Sequence, residues 1–448
     1  MEPLKPMTDN GANRSAKVVA STLPKQAEDI YERWPWVECT VWTRRMLTRL
    51  EQSEPTTKWF GLWDKVWAER NLQQGYYAVW RNQGAAGVDK QTLQQFGAQE
   101  QWQLNKLREQ LRSGRYQPLP ARRVWIPKMG SPEKRPLGIP AVRDRIAQTA
   151  LRNVIEPIFE QDFATNSYGF RPERGCRQAV AQVERLIKEG HIWCVDADLK
   201  SYFDTIPHQR LMRLIEKRIV DGKVMRLLEQ YLKAGVMEQM KGWQPTEQGT
   251  PQGAVISPLL ANIYLNPLDH NVAEKGWKRV RYADDFVVLC QTEAEAHEVL
   301  EYLRAWTTEA GLTLHPVKTR IVNVQSQGFD FLGWTFRGEK KWPRKKSVLK
   351  LREKLRRWTG RSNGMSMAMI VAKLNPTLRG WRGYFGQSPP TSLRDVDGWI
   401  RRRLRAMLRR RHRRQAFGLS PVDHHQWPNR WFATQGLYSL EHGTCDYA

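Results

Sequence analysis

Two adjacent carboxylates, Asp284 and Asp285, stand in the middle of Lys278-Arg-Val-Arg-Tyr-Ala-Asp-Asp-Phe-Val-Val-Leu-Cys290. Before them Val280 and Tyr282 alternate with Arg279 and Arg281. After them Phe286 to Leu289 is apolar and largely β-branched. This pattern predicts a strand, a tight turn and a second strand, with the acids at the tip. A hairpin tip exposes its carboxylates and holds them on a rigid ladder. Paired carboxylates near water are what hard divalent cations, above all Mg²⁺, require. Taken alone the pair has a plainer reading, because Asp is a common turn former. The weight therefore falls on what the rest of the chain sets around it.

The 448 residues carry a net charge of +26, and 40% of them are hydrophobic. A length of this order suggests two or three domains, and the apolar share is enough for real cores. A positive excess of this size points to a polyanionic partner. The chain has no long apolar run to span a bilayer, so no membrane partner is expected. Met1 to Lys17 lacks the apolar stretch of a secretory signal. Cys39, Cys176, Cys194, Cys290 and Cys445 are scattered without a Cys-x-x-Cys pair. That disfavours a zinc ribbon or disulfide framework and suits a reducing cytoplasm.

Along the chain, Met1 to about Gln26 reads as disordered. Tyr31 to Leu50 reads as one amphipathic helical segment, and Trp59 to Trp80 as helical. Arg122–Lys128 and Lys134–Pro140 form a basic β-hairpin around Met129-Gly-Ser-Pro132. Helices are expected at 142–159, 178–188, most of 208–234, 257–265 and 293–310, with strands at 192–195, 319–324 and 329–336. After Gly338 the composition shifts: residues 339–448 hold 25 Lys and Arg against 7 Asp and Glu. Helical pattern dominates there, and Arg401 to Arg414 holds nine arginines in fourteen positions. At that density a phosphate-tracking surface is the expectation. The divisions are thus 1–58, an extension; 59–338; and 339–448, a basic helical domain with a short tail.

Asp198 ends a strand and begins Asp-Leu-Lys-Ser-Tyr-Phe-Asp-Thr-Ile-Pro-His208. A strand-end acid facing an acidic hairpin can hold two Mg²⁺ ions about 4 Å apart. One would activate a primer 3′-hydroxyl, and the other would bind the incoming triphosphate. Asp196 and Asp204 compete for the role, since Asp196 shares the strand parity of Asp198.

At this point the ordered blocks resemble the bacterial group II intron-encoded proteins, reverse transcriptases with maturase activity. The blocks are the basic hairpin; Ser167-Tyr-Gly-Phe-Arg-Pro172; Asp198–His208; Gln248-Gly-Thr-Pro-Gln-Gly-Ala-Val-Ile-Ser-Pro258; Tyr282-Ala-Asp-Asp285; Gly311–Thr319; and Phe329-Asp-Phe-Leu-Gly-Trp334. Leu374–Phe385 resembles the maturase, or thumb, signature. The resemblance implies an α+β right-hand polymerase: fingers, an antiparallel-sheet palm, then a helical basic thumb. It implies Asp198, Asp284 and Asp285 as the catalytic, metal-binding acids, selecting Asp198 because an aromatic, Phe203, stands five positions on. Phe203 would exclude a ribose 2′-hydroxyl. Lys128 and Arg135 would hold the triphosphate, Gln252 would lie near the sugar and template base, and Lys318 would supply a proton to pyrophosphate. RNA contacts would come from Arg379, Trp381, Arg382, Arg401, Arg402, Arg409, Arg410, Arg411, Arg413 and Arg414.

The implied function is RNA-directed DNA synthesis coupled to binding the group II intron RNA, splicing and mobility. The implied partners are that RNA, an RNA template with a DNA primer or target DNA, and deoxynucleoside triphosphates. The implied setting is the bacterial cytoplasm, at the nucleoid during mobility, and a homodimer is compatible with it. Many relatives carry a C-terminal Cys/His endonuclease region, and no such region is expected here. Two alternatives stay open: a host-adapted reverse transcriptase in defence or repair, and a splicing-only RNA-binding maturase. Phe203 and the maturase segment speak against an RNA-synthesising polymerase.

Overall fold

The computed structural model describes residues 29–127, 133–238, 241–412 and 420–445. The segment expected to be disordered, together with Lys128, Arg413 and Arg414, lies outside them.

A helix buried on nearly every side organises the first half. In Val142–Glu160, fourteen of 19 residues are buried, polar ones included. Helix Glu69–Asn82 packs against it at Gly75, where a Cβ would stand 2.9 Å from the carbonyl of Ile146. The single helix expected over 31–50 is instead two short ones, Ile30–Arg33 and Arg44–Glu51, capped by Asp29 and Thr43. Pro35 lies between them and forbids continuity. The helix beginning at Ser257 runs past the expected end at Leu265 to Glu274. Leu268 and Val272 are fully buried, and that burial carries it through Pro267.

Three sheets follow from the strands. The basic hairpin forms as expected, β1 (Ala121–Pro127) against β2 (Lys134–Ile139). The palm strands are β3 (Trp193–Asp198), β6 (Lys278–Tyr282), β7 (Asp285–Cys290) and β8 (Arg320–Asn323). They lie in the order β6-β7-β3-β8, antiparallel throughout. Two three-residue strands that the sequence did not signal, β4 (Val236–Glu238) and β5 (Gly242–Gln244), extend the fingers hairpin, with β4 parallel to β1. A third sheet joins β9 (Phe329–Phe331), β10 (Trp334–Arg337) and β11 (Lys340–Pro343).

The compositional break at Gly338 therefore falls in the turn of the β10–β11 hairpin. It marks a change of charge, not a seam in the fold. Beyond it, helices Lys345–Arg356, Met367–Phe385 and Pro390–Arg411 enclose their own apolar core around Leu374, Leu378 and Leu404. A further core lies between helix Cys176–Lys188, the palm sheet and the third sheet, and it takes in Phe385.

Candidate active site

Asp198 closes β3 and Asp285 opens β7, and the two residues face each other in register. Tyr282 pairs with Asp285, so Ala283 and Asp284 form a two-residue turn. Ala283 takes a φ of 60°, a conformation that hairpin turns usually give to Gly, Asn or Asp. Its surroundings impose it. Arg281 Nη1 donates to the carbonyl of Ala283 at 3.0 Å. Gly169 lies so close that a Cβ there would meet the Ala283 nitrogen at 2.2 Å.

Arg281 is the brace of this turn. Its side chain is fully buried, and it donates to both carboxylate oxygens of Asp269 at 2.5–3.0 Å and to Asn262 Oδ1 at 2.8 Å. Arg279, equally buried, shares Asp269 at 2.9 Å and lies 4.1 Å above the ring of Phe286. Sequence reasoning saw the alternation of these arginines but not that both face inward. A signal existed: Asn262 and Asp269 are polar positions seven apart, so they share one face of a helix that carries Leu259, Leu260, Ile263, Leu265 and Leu268.

The acids crowd one another. Burial pushes the Asp285 carboxyl up to about 7, with Asp196, Asp284 and Asp198 adding to the effect. Asp284 is also raised, by burial and then Asp198, while Arg135 and Lys318 pull it down. Asp196 is lifted to about 6 by burial, offset by Arg320 at 3.5 Å. Of the two competitors for the third acid, Asp196 sits one step deeper and pairs with Arg320 in register. Asp204 accepts from the Gln252 side-chain amide at 3.2 Å. Asp198 alone stands opposite Asp285.

This all-oxygen set of crowded carboxylates fits a hard divalent cation by its chemistry. Among the described residues, no three His, Cys, Asp or Glu side chains already close on one point. Lys318 Nζ lies 2.5 Å from Asp198 Oδ2, an immediate neighbour of the acids.

Arg135 is exposed on β2, near enough to Asp284 for its charge to be felt there. Phe203 is half-buried, edge-on to Tyr202 at 5.5 Å. The carbonyl of Gln252 accepts from the amide of Gly138 at 2.7 Å, which ties the palm loop to the fingers.

The thumb arginines do not form one face. Arg401 is buried beside Asp397 at 4.0 Å. Arg409 is paired with the fully buried Asp423 at 2.5 Å. Arg411 donates to the carbonyls of Asn363 and Met365. Arg402 and Arg410 are exposed. Over the described part of the run, 401–411, the expected phosphate-tracking surface is thereby corrected: the arginines wind around the helix, and several of them serve the thumb's own packing. On the preceding helix Arg379 is exposed and lies 5.5 Å from the ring of Tyr438. Arg382 donates to the carbonyl of Leu440 at 2.7 Å. Trp381 is half-buried against two cores.

Comparison with known proteins agrees with this geometry. Residues 126–336 match the family model "Reverse transcriptase (RNA-dependent DNA polymerase)", and residues 348–420 match "Group II intron, maturase-specific domain". Protein YkfC of Escherichia coli (strain K12) is 41% identical over 289 residues, 56% of this chain and 74% of that one. The group II intron-encoded protein LtrA of Lactococcus lactis subsp. cremoris is 40% identical over 201 residues, 44% of this chain but only 33% of its own length. A putative COX1/OXI3 intron 2 protein of Saccharomyces cerevisiae is 37% identical over 172 residues, 38% of this chain and 20% of that one. The chain belongs to the group II intron-encoded reverse transcriptase–maturase family.

Proposed function

We propose that this protein extends a DNA primer on an RNA template from deoxynucleoside triphosphates, and that its thumb holds the encoding group II intron's RNA and assists splicing and mobility. The observation that carries the reading is the facing of Asp198 and Asp285 across two strands, with Asp284 in the adjoining turn. Asp198, Asp284 and Asp285 would hold two Mg²⁺ ions. When bound, the ions supply the charge that activates the primer 3′-hydroxyl and steadies the departing pyrophosphate. Arg135, with Lys128, neutralises the triphosphate from the fingers. Lys318, beside Asp198, is positioned to give a proton to the leaving group. Phe203 closes the space a 2′-hydroxyl needs, and Gln252 lies along the sugar and template base. Binding to the intron RNA comes from thumb arginines that remain exposed, Arg402 and Arg410 first.

The test is primer extension on an RNA template with Mg²⁺, with and without the intron's RNA, alongside intron splicing. Asp284→Asn is expected to abolish synthesis while intron RNA binding stays within about threefold of wild type, because the thumb charge is untouched. Synthesis by this variant near the wild-type rate would overturn the assignment. Full synthesis with no affinity for intron RNA would favour the host-adapted reading.

A further inference from the structure

Phe170 is held where an aromatic residue has no reason of its own to be. Its φ is 58°, in the left-handed region that bulky side chains avoid, and its side chain is 49% exposed. A strained, solvent-facing aromatic persists only where its surroundings over-determine it. Here they do. The following residue, Arg171, is buried and donates to the carbonyls of Ala164 and Ser167 and to Glu160. The preceding residue, Gly169, lies against the catalytic turn at Ala283, and its carbonyl accepts from Asn262 at 2.8 Å. Upstream, the amide of Tyr168 donates to the carbonyl of Arg281. Asn262 and Arg281 are the same residues that brace the turn carrying Asp284. The loop of Phe170 and the catalytic turn are therefore one hydrogen-bonded unit.

The ring of Phe170 lies beside that of Tyr282, centroids 6.4 Å apart and tilted by 42°. Tyr282 immediately precedes the turn and is partly exposed. Two neighbouring, partly open aromatic faces thus stand together at the hairpin that carries Asp284 and Asp285. The fold holds one of them, Phe170, in a left-handed backbone conformation while the residue stays about half exposed.

We propose that Phe170 is a primer-positioning residue: its ring extends the wall begun by Tyr282 and seats the 3′-terminal nucleotide of the primer strand. This rests on the polymerase reading above. The primer terminus is the nucleotide whose hydroxyl must reach the acids, so it is the one brought against a surface rooted in the catalytic turn. Aromatic faces accept any base, which suits a primer of arbitrary sequence.

The experiment uses the full chain, Mg²⁺, and an RNA template annealed to a DNA primer carrying 5-iododeoxyuridine at its 3′ end. Irradiation is expected to crosslink the primer to Phe170, as mapped on the peptide. Phe170→Ala should lose that crosslink and weaken binding of the primer terminus about tenfold, the usual consequence of removing one base-stacking ring. The KM for deoxynucleotide should hardly change, and Phe170→Tyr should restore both. Phe170→Gly, which relieves the backbone, should melt no lower than wild type and show the same primer defect, separating contact from folding. Crosslinking confined to the template strand or to residues elsewhere, or unchanged primer affinity in a folded Phe170→Ala protein, would overturn the proposal and leave the polymerase reading standing. A wild-type chain that extends no primer would overturn both.

Discussion

Replacing Asp269 by Asn tests how the turn that carries Asp284 is held. The substitution keeps the volume and removes one negative charge from between two arginines. All three side chains are fully buried, at 2.9 Å for Arg279 and 2.5 Å for Arg281. Removing one member of a buried pair costs about 3–5 kcal/mol, because the charge left behind has no counter-charge. Here two guanidinium groups are left, and burial already depresses Arg279 to about 10 while Asp269 holds it up. Urea denaturation should therefore report a loss at the upper part of that range. Exchanging the whole cluster for apolar groups, Asp269→Leu with Arg279→Met and Arg281→Met, should recover most of the stability, to within about 2 kcal/mol of wild type. It should not recover DNA synthesis. Arg281's bonds to Asn262 and to the carbonyl of Ala283 are gone, and the turn that carries Asp284 is no longer tied down. An Asp269→Asn protein within about 1 kcal/mol of wild type would refute a buried charge cluster that holds the turn. An apolar triple variant that extends primers at the wild-type rate would refute it equally.

Phe203→Ala should admit ribonucleotides, read as the ratio of ribo- to deoxynucleotide incorporation; unchanged discrimination would return Phe203 to a packing role. Arg402→Gln with Arg410→Gln should make the slope of log affinity against log salt shallower by about 0.7 per lost phosphate contact, without lowering the melting temperature. Arg409→Gln should instead destabilise the thumb by about 3 kcal/mol, because it removes the ion-pair partner of the buried Asp423. Burial pushes the Glu156 carboxyl from 4.5 up to about 7, against the pull of Arg152. The folded state therefore keeps a proton that the unfolded chain has lost, and stability falls as pH rises between those values and is level above them. Glu156→Gln should be more stable than wild type by about 2–3 kcal/mol at pH 8 and equal to it near pH 4, by denaturant titration.

Part of the acids' signal is local: Asp198 closes a strand and Asp284-Asp285 stands at a turn between two. Period-2 reading left Asp196 open beside Asp198, and only the resemblance to the intron-encoded family chose between them. The inward arginines were not legible, because alternation tells which residues share a face and not which face is covered. Only the helix carrying Asn262 and Asp269 decides that. β4 and β5 escaped because three-residue strands depend on the strand they pair with, β1 for β4 and β4 for β5, more than on their own propensities. The thumb arginines were misjudged for an avoidable reason. A run of consecutive arginines goes around a helix of 3.6 residues per turn, so some must share a face with Leu404 and Leu408. Arg401 and Arg405 do, and both are buried.

Trp381 packs into the thumb core and into the core beneath the palm, and its ring lies 4.7 Å from that of Phe385, which in turn meets Trp334 at 5.0 Å. In the currency of gene fusion, this sets the smallest transplantable piece. A fragment ending where the charge changes, at Gly338, would sever β10 from β11 and strip Phe385 from the ring of Trp334. It would carry an apolar scar into any new host protein. A fragment ending after Phe385 keeps that core closed, yet it exports the first helices of the thumb. Any fusion that borrows the palm with its core intact takes the first helices of the thumb along with it.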